Sequence, residues 1–359
     1  MQDEKLSKLS GGALAALVIM TNSYSVLPGM SAKSSVWLSH IIAGIAALFC
    51  VFCIITVCER HPEKAFFAAL SEELGKNLAR ISALLLALFA ALTCIVSLTV
   101  FSRFVQITAL PRTPQIIIPL LIITAAALSV RGGISASAGA ARLLIWFSIA
   151  VFLIFALLGI RSMDAREIIP DFSKPEKLLI GAVEVFLNRF SVIPAFAVIY
   201  PRIKNGVCKK SSFLISVAIA SAVLTVISAI SVSALGSLTA SLDFYPVYTA
   251  MSVRGVGGFI QHTEILACIA MTQFLFFKCA ICLLFCDEML LECFSEKRKK
   301  GISIPLALIF AAMTQIIYKD ISSLRGMVEW SVGAAAVAVF FFLLFPLIAF
   351  LPCLSRKKK

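Results

Sequence analysis

Apolar runs of about 18–25 residues recur along the whole chain, and a run of that length crosses the hydrocarbon of a bilayer as a helix. Spans are expected at roughly 10–31, 35–58, 81–108, 114–130, 137–160, 178–200, 211–236, 259–292, 302–318 and 330–353. A transmembrane barrel would show alternating segments of about ten residues instead. The composition agrees: 60% of residues are hydrophobic and 14% charged, whereas soluble domains carry about a quarter charged. The expected fold is therefore an all-α integral membrane protein of ten helices in a single transmembrane domain. Two further segments, 62–80 and 245–258, read as amphipathic surface pieces.

The formal net charge of +13 suggests nucleic acid only until its distribution is examined. The basic residues sit in short loops between apolar runs, as they do where lysine and arginine set membrane orientation. With the N-terminus inside, nineteen Lys and Arg fall in cytoplasmic segments, nine outside and four within spans. Both termini are thus expected in the cytoplasm, with the lipid bilayer as partner and no nucleic acid. Most of the eleven cysteines lie inside apolar runs and read as reduced, small apolar packers. The N-terminus lacks a small-residue cleavage site, so its apolar stretch is kept as the first span.

Two spans share a motif. Residues 22–29 read Asn-Ser-Tyr-Ser-Val-Leu-Pro-Gly, and residues 188–195 read Asn-Arg-Phe-Ser-Val-Ile-Pro-Ala. Proline removes a backbone donor and clashes with the preceding turn, while Asn and Ser offer side-chain partners to the freed backbone groups. The helix is expected to break at Pro28, Gly29 and Pro194. In hydrocarbon such irregular backbone survives only where it is buried in protein or lines a cavity. Breaks in the first and sixth spans divide the chain into halves, about 10–160 and 178–354. Five spans is an odd number, so the halves must run in opposite senses. Paired breaks of this kind point to a binding site near the bilayer midplane.

Ionisable groups within hydrocarbon are functional candidates by default. Arg189 lies inside the second motif and would either clamp a ligand carboxylate or pair with an acid such as Glu184. Lys278, in the eighth span, would be a structural cation or a proton-coupling group. Glu264 lies near the outer end of that span, and Arg103 and Arg142 near span ends, where snorkelling is the simpler reading. The residues expected to meet a ligand are Asn22, Ser23, Tyr24 and Ser25 in the first span and Asn188, Arg189 and Ser191 in the sixth. Thr93 and Ser97 in the third span, and Thr272 and Gln273 in the eighth, join them on mid-depth polarity. Cys279, Cys282 and Cys286 share a helix face without a histidine nearby, so no metal is expected. No nucleotide, hydrolase or metalloprotease signature appears, so neither a cofactor nor catalysis is expected.

Further features carry a family resemblance. They are Leu27-Pro28, Leu74-Gly75-Lys76, Thr113-Pro114, Tyr200-Pro201, Tyr245-Pro246, Arg254, Gly257-Gly258-Phe259-Ile260, Glu264 and Phe277-Lys278. In order and spacing the chain resembles the B-subunit permeases of bacterial endospore germinant receptors, within the amino acid/polyamine/organocation transporter superfamily. It departs from them in carrying Asn22-Ser23 where many members have glycines, and Gln261-His262 where members often have an arginine. The resemblance implies a five-plus-five inverted repeat of the LeuT/APC type, with spans one, three, six and eight around a small nutrient, commonly an amino acid. It implies partnership with an A subunit and a C-subunit lipoprotein in the spore inner membrane. In sodium-coupled relatives a cation lies between spans one and eight, and our own reading is that Lys278 would supply that charge covalently. A secondary permease, sodium-independent, needs the same pocket and is the alternative; an ion conduit is a third reading.

Overall fold

The computed structural model describes residues 6–62, 64–160, 163–204, 209–252, 263–294 and 302–317. Six helical segments are long and apolar enough to cross a membrane: Met30–Arg60, Lys76–Thr108, Ile134–Ile160, Pro175–Arg202, Lys209–Leu235 and Ile265–Cys293. Three shorter apolar helices, Lys8–Ile19, Ile117–Gly132 and Ser303–Ile316, complete nine of the ten expected spans; the tenth, 330–353, lies outside the described residues. In chain order the α-helices are α1 (Lys8–Ile19), α2 (Val36–Arg60), α3 (Phe66–Leu74), α4 (Lys76–Thr108), α5 (Ile117–Gly132), α6 (Ile134–Ile160), α7 (Pro175–Val185), α8 (Phe196–Arg202), α9 (Lys209–Leu235), α10 (Ser237–Leu242), α11 (Pro246–Ser252), α12 (Thr263–Cys293) and α13 (Ser303–Ile317).

The surface is apolar where a soluble protein's would be polar. Leu143, Trp146, Leu157, Ile45 and Leu121 are each well over half exposed, which in water would be an aggregating surface and in a bilayer is the lipid-facing belt. Polar groups are turned inward instead: Asn22, Ser23, Ser25, Glu184, Arg189 and Lys278 are all buried. Helices approach closely where side chains are small. Gly29 has φ 91°, and a Cβ there would come within 2.8 Å of Val185 Cγ2. A Cβ on Gly181 would meet the Gly29 carbonyl oxygen at 3.0 Å. The two interrupted spans thus touch backbone to backbone.

Both surface segments differ from the sequence expectation. Residues 62–80 do not form one helix. Gly75, at φ 81°, ends α3 and begins α4, so Lys76–Arg80 extend the third span. The 245–258 segment forms α11 over Pro246–Ser252 and reaches inward: the Val247 amide donates to the Ser25 carbonyl at 3.3 Å. Tyr245 and Tyr248 both pack edge-on against Phe104 of α4, at 5.1 Å between centroids. Residues 253–258 of that segment lie outside the described residues.

Among the described residues nine cysteines are free and all but Cys268 are buried, so they pack as small apolar groups. Cys94 on α4 and Cys279 on α12 approach to 3.6 Å between sulfurs.

Candidate ligand site between the two broken spans

The first break begins where α1 stops at Ile19. Asn22 adopts a left-handed conformation, φ 59°, which Asn tolerates better than most non-glycine residues. The chain stays irregular through Pro28 and passes through a 3-10 turn, Met30–Ser35, into α2. The second break is built differently. α7 runs into a π-helical turn over Phe186–Phe190, then a 3-10 turn over Ile193–Ala195 with Pro194 at its start, then α8. π-bulges frequently mark functional sites. Both matched octads therefore fall in non-α backbone, within spans that continue on either side.

Arg189 joins the two breaks. Its two terminal nitrogens donate to the carbonyls of Thr21 and Val26, each at 2.6 Å. Those carbonyls belong to the unwound part of the first span, where no following turn supplies amide donors. The terminal nitrogens of Arg189 thus go to backbone, and Glu184 accepts from the Ser31 hydroxyl at 2.5 Å. Lys278 is 1% exposed on α12 and lies within electrostatic reach of Arg189.

Other candidates tie neighbouring spans to the break. Asn22 Nδ2 donates to the Ser97 carbonyl at 3.3 Å, and the Thr21 hydroxyl reaches both the Val18 carbonyl at 2.8 Å and that of Phe274 at 3.4 Å. Tyr24 stacks on Phe274 at 6.3 Å and meets Phe155 edge-on at 6.0 Å. The Ser25 hydroxyl donates to the Asn22 carbonyl. Thr93 and Ser97 are buried on α4, with the Ser97 hydroxyl bonded back to the Thr93 carbonyl. Gln273 donates to the Ser148 hydroxyl at 2.5 Å, joining α12 to α6. Asn188 is half-buried in the π turn. Thr272 does not belong with this group: it is exposed on the outer face of α12, and its hydroxyl bonds to the Cys268 carbonyl. The side chain of Glu264 lies outside the described residues.

Sequence reasoning missed Ser148, Ser31, Phe155 and Phe274. It also missed the carbonyls of Thr21 and Val26, which carry no sequence signal because every residue has one.

Eight buried side-chain polar atoms among the described residues lack a hydrogen-bond partner. Five belong to the two octads: Asn22 Oδ1, Ser23 Oγ, Tyr24 OH, Arg189 Nε and Ser191 Oγ. A sixth is the hydroxyl of Tyr245, beside the segment that bonds to Ser25. An unpaired buried polar atom costs about 1–3 kcal/mol, so natural structures keep few and usually with a reason. Six of the eight thus gather at or beside the two breaks.

The start of the first span and the end of the sixth are tied together. The Leu6 amide donates to the Arg202 carbonyl at 2.8 Å, and the Lys204 amide to the Leu6 carbonyl at 2.9 Å. Around this bridge the Tyr200 hydroxyl donates to Glu59 at 2.6 Å, and Arg202 pairs with Glu288.

A family model described as spore germination protein matches residues 5–323. The chain belongs to the spore germination permease family. A curated relative, spore germination protein KB of Bacillus subtilis, is 22% identical over 351 residues, covering 94% of this chain and 91% of the relative. Solved structures of similar fold include MhsT in complex with L-phenylalanine, with TM-score 0.69 and 14% identity over 97% of this chain and 89% of that one. A mutant form of the manganese transporter of Eremococcus coleocola has TM-score 0.62 and 14% identity over 94% of this chain and 78% of that one. The protein is thus an integral membrane member of a germination family, with the LeuT-type transporter fold.

Proposed function

We propose that this protein is the B subunit of a nutrient germinant receptor in the spore inner membrane, both termini cytoplasmic, acting with an A subunit and a C-subunit lipoprotein. It binds a small nutrient, an amino acid in particular, between the two broken spans and passes the resulting change to its partners. The observation that carries this reading is the set of orphaned polar atoms on both octads, held beside two buried cations. Buried charge in low dielectric calls for a compensating partner, and a ligand carboxylate supplies one. The aromatic rings of Tyr24, Phe155 and Phe274 would pack the ligand's apolar part. A ligand shifts such an equilibrium only through unequal affinity for two states; the tie between Leu6 and the Arg202–Lys204 segment is a bond such a change would break.

A thermal-shift screen of amino acids on the purified protein tests the binding. The expected result is stabilisation by at least one amino acid, lost in Ser23→Ala/Ser191→Ala. No stabilisation by any small carboxylate would remove the reading. The transporter folds it resembles favour a second reading, a sodium-independent permease. Uptake by proteoliposomes separates the two, since accumulation of the stabilising solute would make the protein a transporter.

A further inference from the structure

A cavity of about 380 Å³ lies between α1, α6 and α9, apart from the orphaned atoms of the two breaks. Its polarity is graded. Lys8 opens α1, Arg142 lies in the first third of α6, and Ser212 lies in the first turn of α9 with Ser216 one turn further; all four line the cavity. The remaining wall is almost wholly apolar and runs to Met20, the residue that caps α1. Its rim is the lipid-facing belt: Leu9, Trp146 and Ile219 line it and are each more than half exposed. Gly12 keeps α1 close to α9 there, since a Cβ would fall 2.3 Å from the Ser216 hydroxyl.

We propose that this groove seats one anionic phospholipid, its phosphate between Lys8 and Arg142 and an acyl chain lying along α1 toward Met20. The cations sit at one end, where the phosphate of a bilayer lipid would lie, and the apolar wall begins where the acyl chain would. Basic pockets between membrane helices take anionic headgroups in this way. A soluble phosphate would gain nothing from the apolar wall, and a zwitterionic lipid, whose choline offsets its phosphate, would gain less from the cations than an anionic one. The inner end of the groove is set by Met20 and by Ser148, the partner of Gln273, so an occupied seat braces the start of the first break. The inference does not depend on which nutrient, if any, binds between the breaks.

The test is native mass spectrometry of the full chain, delipidated and titrated with phosphatidylglycerol or phosphatidylcholine of matched chains. Wild type is expected to retain phosphatidylglycerol about tenfold better. Lys8→Gln/Arg142→Gln is expected to bring that ratio close to one without changing thermal stability in phosphatidylcholine micelles. Ile219→Trp, at a lipid-exposed position, fills the mouth and is expected to lower retention of both lipids. Equal retention of the two lipids by wild type would overturn the proposal, as would an unchanged preference in the double variant or unchanged binding in Ile219→Trp.

Discussion

The guanidinium of Arg189, on the sixth span, spans the carbonyls of Thr21 and Val26 on the first, at 2.6 Å each. One side chain thus replaces two missing helix hydrogen bonds and makes the geometry of one break depend on the other. Any motion that separates the spans must break these bonds first.

Arg189→Ala leaves both carbonyls buried without donors, at about 1–3 kcal/mol each. The expected outcome is a clear loss of thermal stability in detergent together with loss of ligand response. Arg189→Lys restores charge but has no planar fork, so it should recover part of the stability and little of the response. If the alanine variant kept wild-type stability, the bracing role would be gone.

Asn22 combines a left-handed backbone with a side-chain bond to Ser97. A left-handed L-residue costs about 1–2 kcal/mol, which glycine avoids. Asn22→Ala should therefore be less stable than Asn22→Gly, although both lose the amide. Thermal unfolding of the pair separates the backbone effect from the bond, and an equal loss would place the whole effect in the bond to Ser97.

The α3 amphipathic helix is held by exposed pairs. Lys64 donates to Glu72 and holds its carboxyl below the usual range. The folded-state value is depressed, so the stabilisation is present above the ordinary glutamate range and lost as pH falls below about 4. The protection factors of α3 amides, that is exchange rates corrected for the intrinsic pH dependence of amide exchange, should fall in acid and in high salt, and Glu72→Gln should show the lower protection at neutral pH as well. Protection factors flat with pH would deny the pair this role.

The tie between Leu6 and the Arg202–Lys204 segment should report the state of the protein. The amides of Leu6 and Lys204 are bonded across the two broken spans and should exchange slowly without ligand. Arg202→Gln, which removes the pairing with Glu288, should quicken both. If a stabilising amino acid altered exchange at the breaks but not at these two amides, the tie would not be part of the response.

The spans and the breaks were legible in the chain because each depends on local chemistry. Run length sets a membrane helix, and the Asn-x-x-Ser-Val-x-Pro pattern carries both a backbone interruption and its polar partners. The role of Arg189 was legible only as a buried charge, since its partners are carbonyls that no residue type announces. The α3–α4 junction was blurred because Gly75 interrupts a pattern that stays helical on both sides. The tilt of α11 toward Ser25 depends on packing against Phe104, which is distant in sequence.

Thr272 and Gln273 show where mid-depth polarity misleads, and they make a paired test. Neighbours on a helix point about 100° apart, so one of two adjacent polar residues can face the interior while the other faces lipid. Gln273 does, bonded to Ser148 at 2.5 Å, while Thr272 is exposed and bonds only its own helix. Thr272→Val exchanges a satisfied hydroxyl for a methyl facing lipid and should leave stability and ligand response within about 0.5 kcal/mol of wild type. Gln273→Leu strips Ser148 of its partner and should cost about 1–2 kcal/mol, near the upper range for interhelical bonds in membranes. Ser148→Ala in the Gln273→Leu background should add little, because the bond is already gone. Thermal unfolding of the four proteins closes that cycle. Additive losses would mean that Gln273 and Ser148 act separately and that spans five and eight are held by packing alone.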